Sequence, residues 1–207
     1  MSRTLIVITG PTGVGKTAAA IGVARHFGCD IINADSRQVF RGLPIGTAAP
    51  TPQEQAMARH HFVQFLDLGE YYSASQFEAD VMRLLPQLWR QGDYAVMCGG
   101  SMMYVDAVCR GIDDIPTITP EVRAQVLAEY EAGGLQRLDP AYYAEVDRRN
   151  TKRVLHAVEI CRQAGVPYST LRTGQAKPRP FDIVKIGLNI ERPQLFDRIN
   201  RRVDAMI

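Results

Sequence analysis

Short, unbroken apolar runs recur along the chain, and polar or helix-patterned segments separate them. Runs that are apolar on both faces and rich in β-branched residues are typical of parallel strands covered by helices on each side. The strands that this pattern predicts lie at residues 4–9 (TLIVIT), 30–34 (DIINA), 61–68 (HFVQFLDL), 94–98 (YAVMC) and 183–190 (IVKIGLNI).

Segments with a helical spacing of apolar residues follow most of these runs. Gly28 stands where the first helix should end, and Ser73 or Ser75 where a later one should begin. The helices predicted in this way cover residues 16–27, 53–59, 73–91, 102–111, 121–134, 140–147, 150–164 and 192–207.

The composition and apolar spacing of the sequence change near residue 113, where an acidic, proline-bearing stretch leads into consecutive amphipathic helices. Glycine and proline make 41–52 an ordered loop, and 173–180 (TGQAKPRP) is predicted to be a basic, flexible linker. We therefore predict a core formed by residues 1–112, a small helical insertion at 113–170, and a return strand and last helix of the core at 171–207.

The segment between the first strand and the first helix reads GPTGVGKT and matches the P-loop pattern G-x-x-x-x-G-K-[ST] completely. Its residues are Gly10, Pro11, Thr12, Gly13, Val14, Gly15, Lys16 and Thr17. In such a loop the backbone N–H groups and the start of the helix bind phosphate, Lys16 neutralises its oxygens and the Thr17 hydroxyl ligates Mg²⁺. This context predicts a P-loop NTPase-like α/β fold, with a parallel sheet flanked by helices. The loop alone fixes no reaction, because it suits a kinase, an NTPase or an enzyme that binds a diphosphate ester.

An acidic residue that could act beside the phosphate is found at only one early strand end. The strand at 94–98 runs into Gly99 and Gly100, where an NTPase would normally carry an aspartate. Asp35 follows the strand at 30–34, and the carboxyl ends of parallel strands line the ligand crevice of an open α/β sheet. We expect Asp35 beside the phosphate site; the alternative is that its carboxylate caps the next turn.

Composition narrows the class of protein only a little. With 46% apolar and 22% charged residues and a net charge of +2, the chain is ordinary for a globular domain, and a nucleic-acid partner is neither required nor excluded. The four cysteines show no C-x-x-C pair, so we predict neither a disulfide framework nor a zinc site. No apolar stretch is long enough for a signal peptide or a membrane span, and a cytoplasmic protein is expected.

Three strings together carry a family resemblance: GPTGVGKT, ADSRQVFRGLPIGTAAP at 34–50 and CGGSMMY at 98–104. The chain resembles the tRNA dimethylallyltransferases, prenyltransferases that modify the adenine on the 3′ side of the anticodon. Further matches at 60–67, 71–81 and 148–169 extend the resemblance over nearly the whole sequence. The chain departs from the family pattern at Ser101, where the family usually has threonine, and between Gly134 and Asp139, where it is several residues shorter. Family members also usually continue past the last helix, with helices that help to hold tRNA.

The resemblance implies that the donor is dimethylallyl diphosphate and the acceptor is the exocyclic amine of adenine in the tRNA anticodon stem-loop. The P-loop, Lys16 and a Thr17-held Mg²⁺ would stabilise the diphosphate as it leaves. Asp35 would accept the proton of the amine, a weak nucleophile whose lone pair is delocalised into the ring. Ser101 would hydrogen-bond the amine or a diphosphate oxygen, and an ordinary helix N-cap is the alternative.

The resemblance also places tRNA contacts at Asp35, Ser36, Arg37, Gln38, Ser101, Arg123, Lys152, Arg153, Val154, Leu155 and His156. Among these, Gln38 could read a base edge and the basic residues suit phosphate groups, although a solvated helix face is the alternative for the basic cluster. Arg198 and Arg202, at i and i+4 on the last helix, could reach the diphosphate or the RNA. Phe62, Phe65 and Tyr104 are predicted to be core residues and not base-stacking platforms.

Two other functions are weighed against a monomeric tRNA prenyltransferase. A P-loop small-molecule kinase shares the first strand, loop and helix, but it would need ATP turnover and usually an arginine-rich lid. A non-catalytic RNA-binding module gives no reason for the intact Lys16–Thr17 pair.

Overall fold

The computed structural model, which describes residues 3–129 and 134–206, contains one parallel sheet with strand order β3-β2-β4-β1-β5. Its strands are β1 (Thr4–Thr9), β2 (Ile31–Asn33), β3 (His60–His61), β4 (Tyr94–Cys98) and β5 (Asp182–Gly187). The central position of β1 puts the loop that follows it in the middle of one sheet edge. The predicted parallel α/β sheet is confirmed.

Helices account for most of the remaining regular structure. In chain order, those within the described residues are α1 (Lys16–Phe27), α2 (Pro52–Met57), α3 (Ala74–Leu88), α4 (Met102–Arg110), α5 (Pro120–Ala128), α6 (Gly134–Leu138), α7 (Pro140–Glu145), α8 (Thr151–Ala164), α9 (Tyr168–Leu171) and α10 (Arg192–Asp204). The short helix α6 was not predicted, and part of the helix expected at 121–134 lies outside the described residues.

The three inner strands β1, β2 and β4 bury residues on both faces, as the unbroken runs predict, whereas most residues of the edge strand β5 are exposed. Leu5 and Val7 of β1 belong to a core that includes residues of α3 and α4. Ile6 and Ile8, which alternate with them, belong to a second core that includes residues of α1. Because successive strand side chains point to opposite faces, a strand covered on both sides needs an apolar residue at every position.

The strand expected at 61–68 is wrong beyond its first residue. Phe62 and Gln64 have positive φ values of 62° and 50°, which extended backbone does not allow. Only an isolated bridge between Phe40 and Leu66 continues the pairing. The segment is apolar because Phe62, Phe65 and Leu66 pack against the core as loop residues.

The segment at 173–180 is more ordered than a flexible linker. Arg179 donates hydrogen bonds to the carbonyl oxygens of Ala107 (2.6 Å) and Val108 (2.8 Å) in the last turn of α4. It also pairs with Glu78 at 2.5 Å, and each of the two side chains is only 10% exposed. Carbonyls in the last turn of a helix lack intrahelical partners, so a buried guanidinium there fixes the returning chain.

The chain divides into two compact units, one of Met1–Ile112 with Ala176–Ile207 and the other of Asp113–Gln175. The second unit ends later than residue 170, where the sequence placed the end of the insertion. Its two ends meet because the Asp113 carboxylate accepts hydrogen bonds from the backbone N–H groups of Thr173 and Gly174, each at 3.1 Å.

The core of the second unit is formed by apolar residues of α5, α6 and α8 and includes Val126, Leu135 and Val158. Asp139 is fully buried and accepts hydrogen bonds from the Tyr142 N–H (3.0 Å) and from the N–H (2.6 Å) and hydroxyl (2.8 Å) of Ser169.

Among the helices that the structure describes, none is long and apolar enough to cross a membrane.

Candidate active site

A cavity of about 800 Å³ lies at the sheet edge where β1, β2 and β4 end. Its lining includes much of the P-loop, Asp35 after β2, the Cys98–Gly100 turn after β4, and Arg198 and Arg202 of α10. We call it the phosphate-loop cavity. The fold therefore brings the P-loop and Asp35 together, as the position of both at strand ends predicted.

The P-loop has the conformation that a phosphate-binding loop requires. Gly10, Gly13 and Gly15 have φ values of 148°, 83° and 102°. A Cβ on Gly10 would lie 2.6 Å from the Leu188 carbonyl oxygen, so a side chain there is excluded by the backbone as well as by φ. No side chain caps α1 at Gly15, and this leaves its first N–H groups available to an anion.

The Lys16 ammonium group folds back over the loop. Its Nζ donates hydrogen bonds to the carbonyl oxygens of Gly10 and Pro11, each at 2.9 Å. Burial lowers the pKa of Lys16, while the nearby Cys98 and Asp35 oppose this shift and Arg202 adds to it. The neighbouring Cys98 thiol has its pKa raised to about 11 by burial, so it is neutral at physiological pH. Lys16 thus lines the wall of the cavity close to Asp35 and Cys98.

The two carboxylate oxygens of Asp35 have different surroundings. Oδ1 accepts the backbone N–H groups of Arg37 (2.9 Å) and Gln38 (3.3 Å), which is the turn-capping role weighed as the alternative. Oδ2 accepts no hydrogen bond from any residue within 3–129 or 134–206. A single carboxylate can therefore fix the turn with one oxygen and leave the other for a ligand.

Ser101 occupies the N-cap position of α4 but does not cap it with its side chain. Its Oγ accepts the Ser36 N–H at 2.8 Å and donates to the Ser36 Oγ at 3.0 Å. Gly99 permits this approach, because a Cβ there would lie 2.0 Å from the Ala34 carbonyl oxygen. The N-cap alternative is wrong for the hydroxyl, which joins the ends of β2 and β4 instead.

Ser101 lines a different cavity, of about 640 Å³, which we call the second cavity. Its lining includes Ser36, Arg37, Tyr71, Ser101, Met102 and Met103. Arg37 and Gly100 line both cavities, so the two are neighbours separated by the turns that Ser36 and Ser101 join.

The Gln38 side chain is engaged within the protein. Its Nε2 donates hydrogen bonds to the carbonyl oxygens of Thr47 and Ala48, each at 3.0 Å. Both residues line the phosphate-loop cavity, so Gln38 positions part of its wall. The prediction that Gln38 reads a base edge must be corrected for its NH₂ group, which leaves only the amide oxygen for such a contact.

Arg198 and Arg202 reach the P-loop because β5 pairs with β1 and delivers α10 to the same sheet edge. The Arg198 guanidinium donates to the Val14 carbonyl oxygen at 3.2 Å. Their i, i+4 spacing predicted a shared helix face, and the fold supplies its position over the cavity.

The residues present fit a magnesium ion held jointly with a substrate. Thr17 lines the cavity beside Lys16 and Asp35. Among the described residues no group of three or more His, Cys, Asp or Glu side chains could hold a metal by itself. Mg²⁺ characteristically takes most of its ligands from substrate phosphates and water and only one or two from protein, which matches this donor set.

The predicted RNA-contacting residues of the second unit fall on two faces of α8. Lys152, Arg153 and His156 are exposed. Val154 is only 3% exposed and belongs to the core, with Leu155 packed partly against it. The prediction of a side-chain contact by Val154 is therefore corrected, since helical periodicity turns it away from solvent.

The Glu159 carboxylate of α8 lies close to two of the side chains that were predicted to contact RNA. Glu159 lies 3.2 Å from the Nδ1 of His156 and 3.7 Å from the Nε of Arg123. Arg123, predicted as a phosphate contact, is thus half-exposed and already beside a carboxylate.

The fold and the phosphate-loop cavity define a P-loop α/β protein with a carboxylate at the neighbouring strand end. Within that class, the chain belongs to the family described as IPP transferase, whose model matches residues 38–207. It is 54% identical to tRNA dimethylallyltransferase 2 of Parabacteroides distasonis, over 99% of this chain and 71% of the relative. It is 52% identical to tRNA dimethylallyltransferase 1 of Bacteroides fragilis, over 100% of this chain and 71% of the relative.

Solved structures of the same family share the fold. A eukaryotic dimethylallyltransferase acting on tRNA matches with a TM-score of 0.84 and 28% identity, over 99% of this chain and 53% of that protein. The full-length tRNA isopentenylpyrophosphate transferase of Bacillus halodurans matches with a TM-score of 0.65 and 32% identity, over 100% of this chain and 66% of that protein. The chain therefore spans between about half and 71% of these relatives.

Proposed function

We propose that this protein transfers a dimethylallyl group from dimethylallyl diphosphate to the exocyclic amine of the adenine 3′ to the anticodon in tRNA, releasing diphosphate. The observation that carries the proposal is the pairing of the P-loop with Asp35 in one cavity, in which Asp35 Oδ2 accepts no hydrogen bond from the described residues. Membership of a family whose relatives are named tRNA dimethylallyltransferases supports the choice of substrates.

The phosphate-loop cavity suits the leaving group. An allylic carbon separates from its diphosphate with carbocation-like character, so negative charge grows on the departing oxygens. The uncapped N–H groups of α1, the Lys16 ammonium and the guanidinium groups of Arg198 and Arg202 would offset that charge. Mg²⁺, held by Thr17, would supply further charge stabilisation when bound.

Asp35 suits the nucleophile. The adenine amine must lose a proton as its bond to the allylic carbon forms, and Asp35 Oδ2 is the group that would accept it. A positioned general base contributes about 10²–10⁴-fold to the rate. The Ser36–Ser101 pair would set the position of Asp35 by joining the two strand ends beside it.

The proposed RNA contacts use residues that are exposed or adjacent to Asp35. The target base is stacked in the anticodon loop and must be extruded to reach Asp35. Ser36 and Arg37 lie next to that carboxylate, and Lys152, Arg153 and His156 present exposed positive or polar groups suited to phosphate. We further propose that the protein acts in the cytoplasm, which its scattered, unpaired cysteines fit, and as a monomer, which sedimentation would test.

Incorporation of labelled dimethylallyl groups into tRNA in the presence of Mg²⁺ tests the proposal. The expected result is label on the adenine that follows the anticodon and none on tRNA with another base there. ATP hydrolysis or phosphoryl transfer to a small molecule, without prenyl incorporation, would overturn it in favour of the kinase alternative.

A further inference from the structure

The lining of the second cavity includes apolar and aromatic side chains that are largely exposed. Met102 and Met103, in the first turn of α4, are 51% and 70% exposed, and Tyr71, which also lines this cavity, is 49% exposed. By contrast, Tyr104 is only 5% exposed, and Phe62 and Phe65 pack against the core. The exposed apolar surface beside Asp35 is therefore made by two methionines and a tyrosine.

Two other tyrosines that line the second cavity, Tyr72 and Tyr104, are held in place by packing and hydrogen bonds. The Tyr104 ring stacks on Phe77 with centroids 4.4 Å apart, and the Tyr104 hydroxyl donates to the Tyr72 carbonyl oxygen at 3.3 Å. The Tyr72 hydroxyl in turn donates to Asp80 at 2.7 Å. Fixed tyrosines beside flexible thioether side chains favour an aromatic ligand, because methionine adapts its shape and makes favourable contacts with aromatic rings.

The second cavity lies next to the group that would react with the target base. Arg37 and Gly100 line both cavities, and Ser36 and Ser101, which border the second, are joined to the turn that carries Asp35. A nucleotide that adjoins an adenine bound at Asp35 is within reach of the second cavity, because the two cavities share Arg37 and Gly100. Arg37 is exposed there and makes no ion pair with any described residue, which leaves it free for a backbone phosphate.

We propose that Met102, Met103 and Tyr71 form a stacking surface for the nucleotide that adjoins the target adenine in the anticodon loop. The inference rests on the proposed function, because that function supplies the target adenine. Stacking on such a surface favours purines over pyrimidines, since the larger ring system covers more of it. The second cavity is then a determinant of which tRNAs are modified.

The test measures RNA binding separately from turnover. Binding of a fluorescent anticodon stem-loop RNA is followed by anisotropy for the full 207-residue chain, for Met103→Ala and for the double variant Met102→Ala/Met103→Ala. Met57→Ala is the matched control, because Met57 is 54% exposed on α2 and lines neither cavity. We expect the Kd to rise about fivefold for the single variant and more for the double, and to stay unchanged for the control.

A second RNA, abasic at the nucleotide adjoining the adenine, identifies the partner of the methionines. It should bind the unaltered protein about fivefold more weakly, but bind the double variant as well as the complete RNA does. The proposal would be overturned if the losses of RNA affinity from the abasic site and from the methionine substitutions were strictly additive. It would also be overturned if the methionine variants lost no more affinity than Met57→Ala, or if they raised the KM for dimethylallyl diphosphate without changing RNA affinity. So would a change in sedimentation alone, which would indicate a second copy on this surface.

Failure of the proposed function has a different signature. The two losses of RNA affinity could be non-additive, which we call coupling, while the unaltered protein incorporates no prenyl group. That result would support the stacking surface and refute the proposed reaction. Normal incorporation without coupling would refute only the stacking surface.

Discussion

The Ser101 hydroxyl accepts a hydrogen bond from the backbone N–H of Ser36 at 2.8 Å, and so joins the turn after β2 to the start of α4. Asp35 immediately precedes this junction and lies beside the P-loop in the phosphate-loop cavity. The position of the proposed base therefore depends on a contact between residues 65 apart in the sequence.

Replacing Ser101 tests that dependence. Ser101→Ala removes both hydrogen bonds to Ser36 and should slow prenyl transfer in a single turnover about tenfold or more, because small displacements of a reacting group are costly. Ser101→Thr keeps the hydroxyl and should stay within about threefold of the unaltered protein. Ser75→Ala, on the exposed side of α3, is the control. Equal rates for Ser101→Ala and Ser75→Ala would show that the junction does not position Asp35.

Lys16 is expected to act on the donor and not on the RNA. Lys16→Ala removes a charged hydrogen-bond donor from the loop, and the KM for dimethylallyl diphosphate should rise about tenfold or more. The Kd for a stem-loop RNA should be unaffected. Lys185→Ala is the matched control, because Lys185 is half-exposed on β5 and lies 3.8 Å from Asp106. An unchanged KM for the donor in Lys16→Ala would contradict the assignment of the loop to the diphosphate.

Asp139 should make the stability of the second unit depend on pH. Burial raises the pKa of Asp139, but hydrogen bonds from Tyr142 and Ser169 outweigh this and lower the pKa overall. A carboxyl whose pKa is lower in the folded state stabilises the fold above its unfolded pKa, and this stabilisation is lost as the pH falls through the folded pKa. Asp139→Asn should therefore reduce the free energy of unfolding by about 1–3 kcal/mol at pH 7, and by less in acid.

Urea unfolding at pH 7 and below pH 3.8, the ordinary pKa of an aspartate, provides the measurement. Asp147→Asn is the control, because Asp147 is exposed in the same unit and its carboxylate only accepts the Arg149 N–H at 3.1 Å. A destabilisation of Asp139→Asn that is equal at both pH values would mean that packing, and not the charge, is responsible.

Local patterns predicted much of the fold and the meeting of Asp35 with the P-loop in one cavity. The apolar runs predicted β1 and β4 at their observed bounds, because a strand buried on both faces is an unbroken run of apolar residues in the sequence. Asp35 was predicted at the site because strand ends converge in a parallel sheet. The strand at 61–68 failed because apolar residues can also pack from irregular backbone with positive φ.

What the sequence could not predict depends on contacts between distant segments. The hydrogen bond from Arg198 to Val14 and the pairing of Arg179 with Glu78 join residues 184 and 101 apart. Nothing local marks such partners. The sequence predicted no separate role for Met102 and Met103, which belong to the motif CGGSMMY, because the exposure of an apolar residue is a property of the folded chain.

We expect Asp35 to accept the proton of the adenine amine, and Asp35→Asn removes the basic group while keeping the size of the side chain. Asparagine keeps an oxygen for the N–H groups of Arg37 and Gln38, so the turn is retained while the base is lost. Asp67→Asn, at a surface ion pair with Arg41, is the control. With tRNA and donor bound, we predict that the single-turnover rate of prenyl transfer falls about 10²–10⁴-fold in Asp35→Asn while the Kd for RNA changes little. A single-turnover rate equal to that of Asp67→Asn would contradict the account.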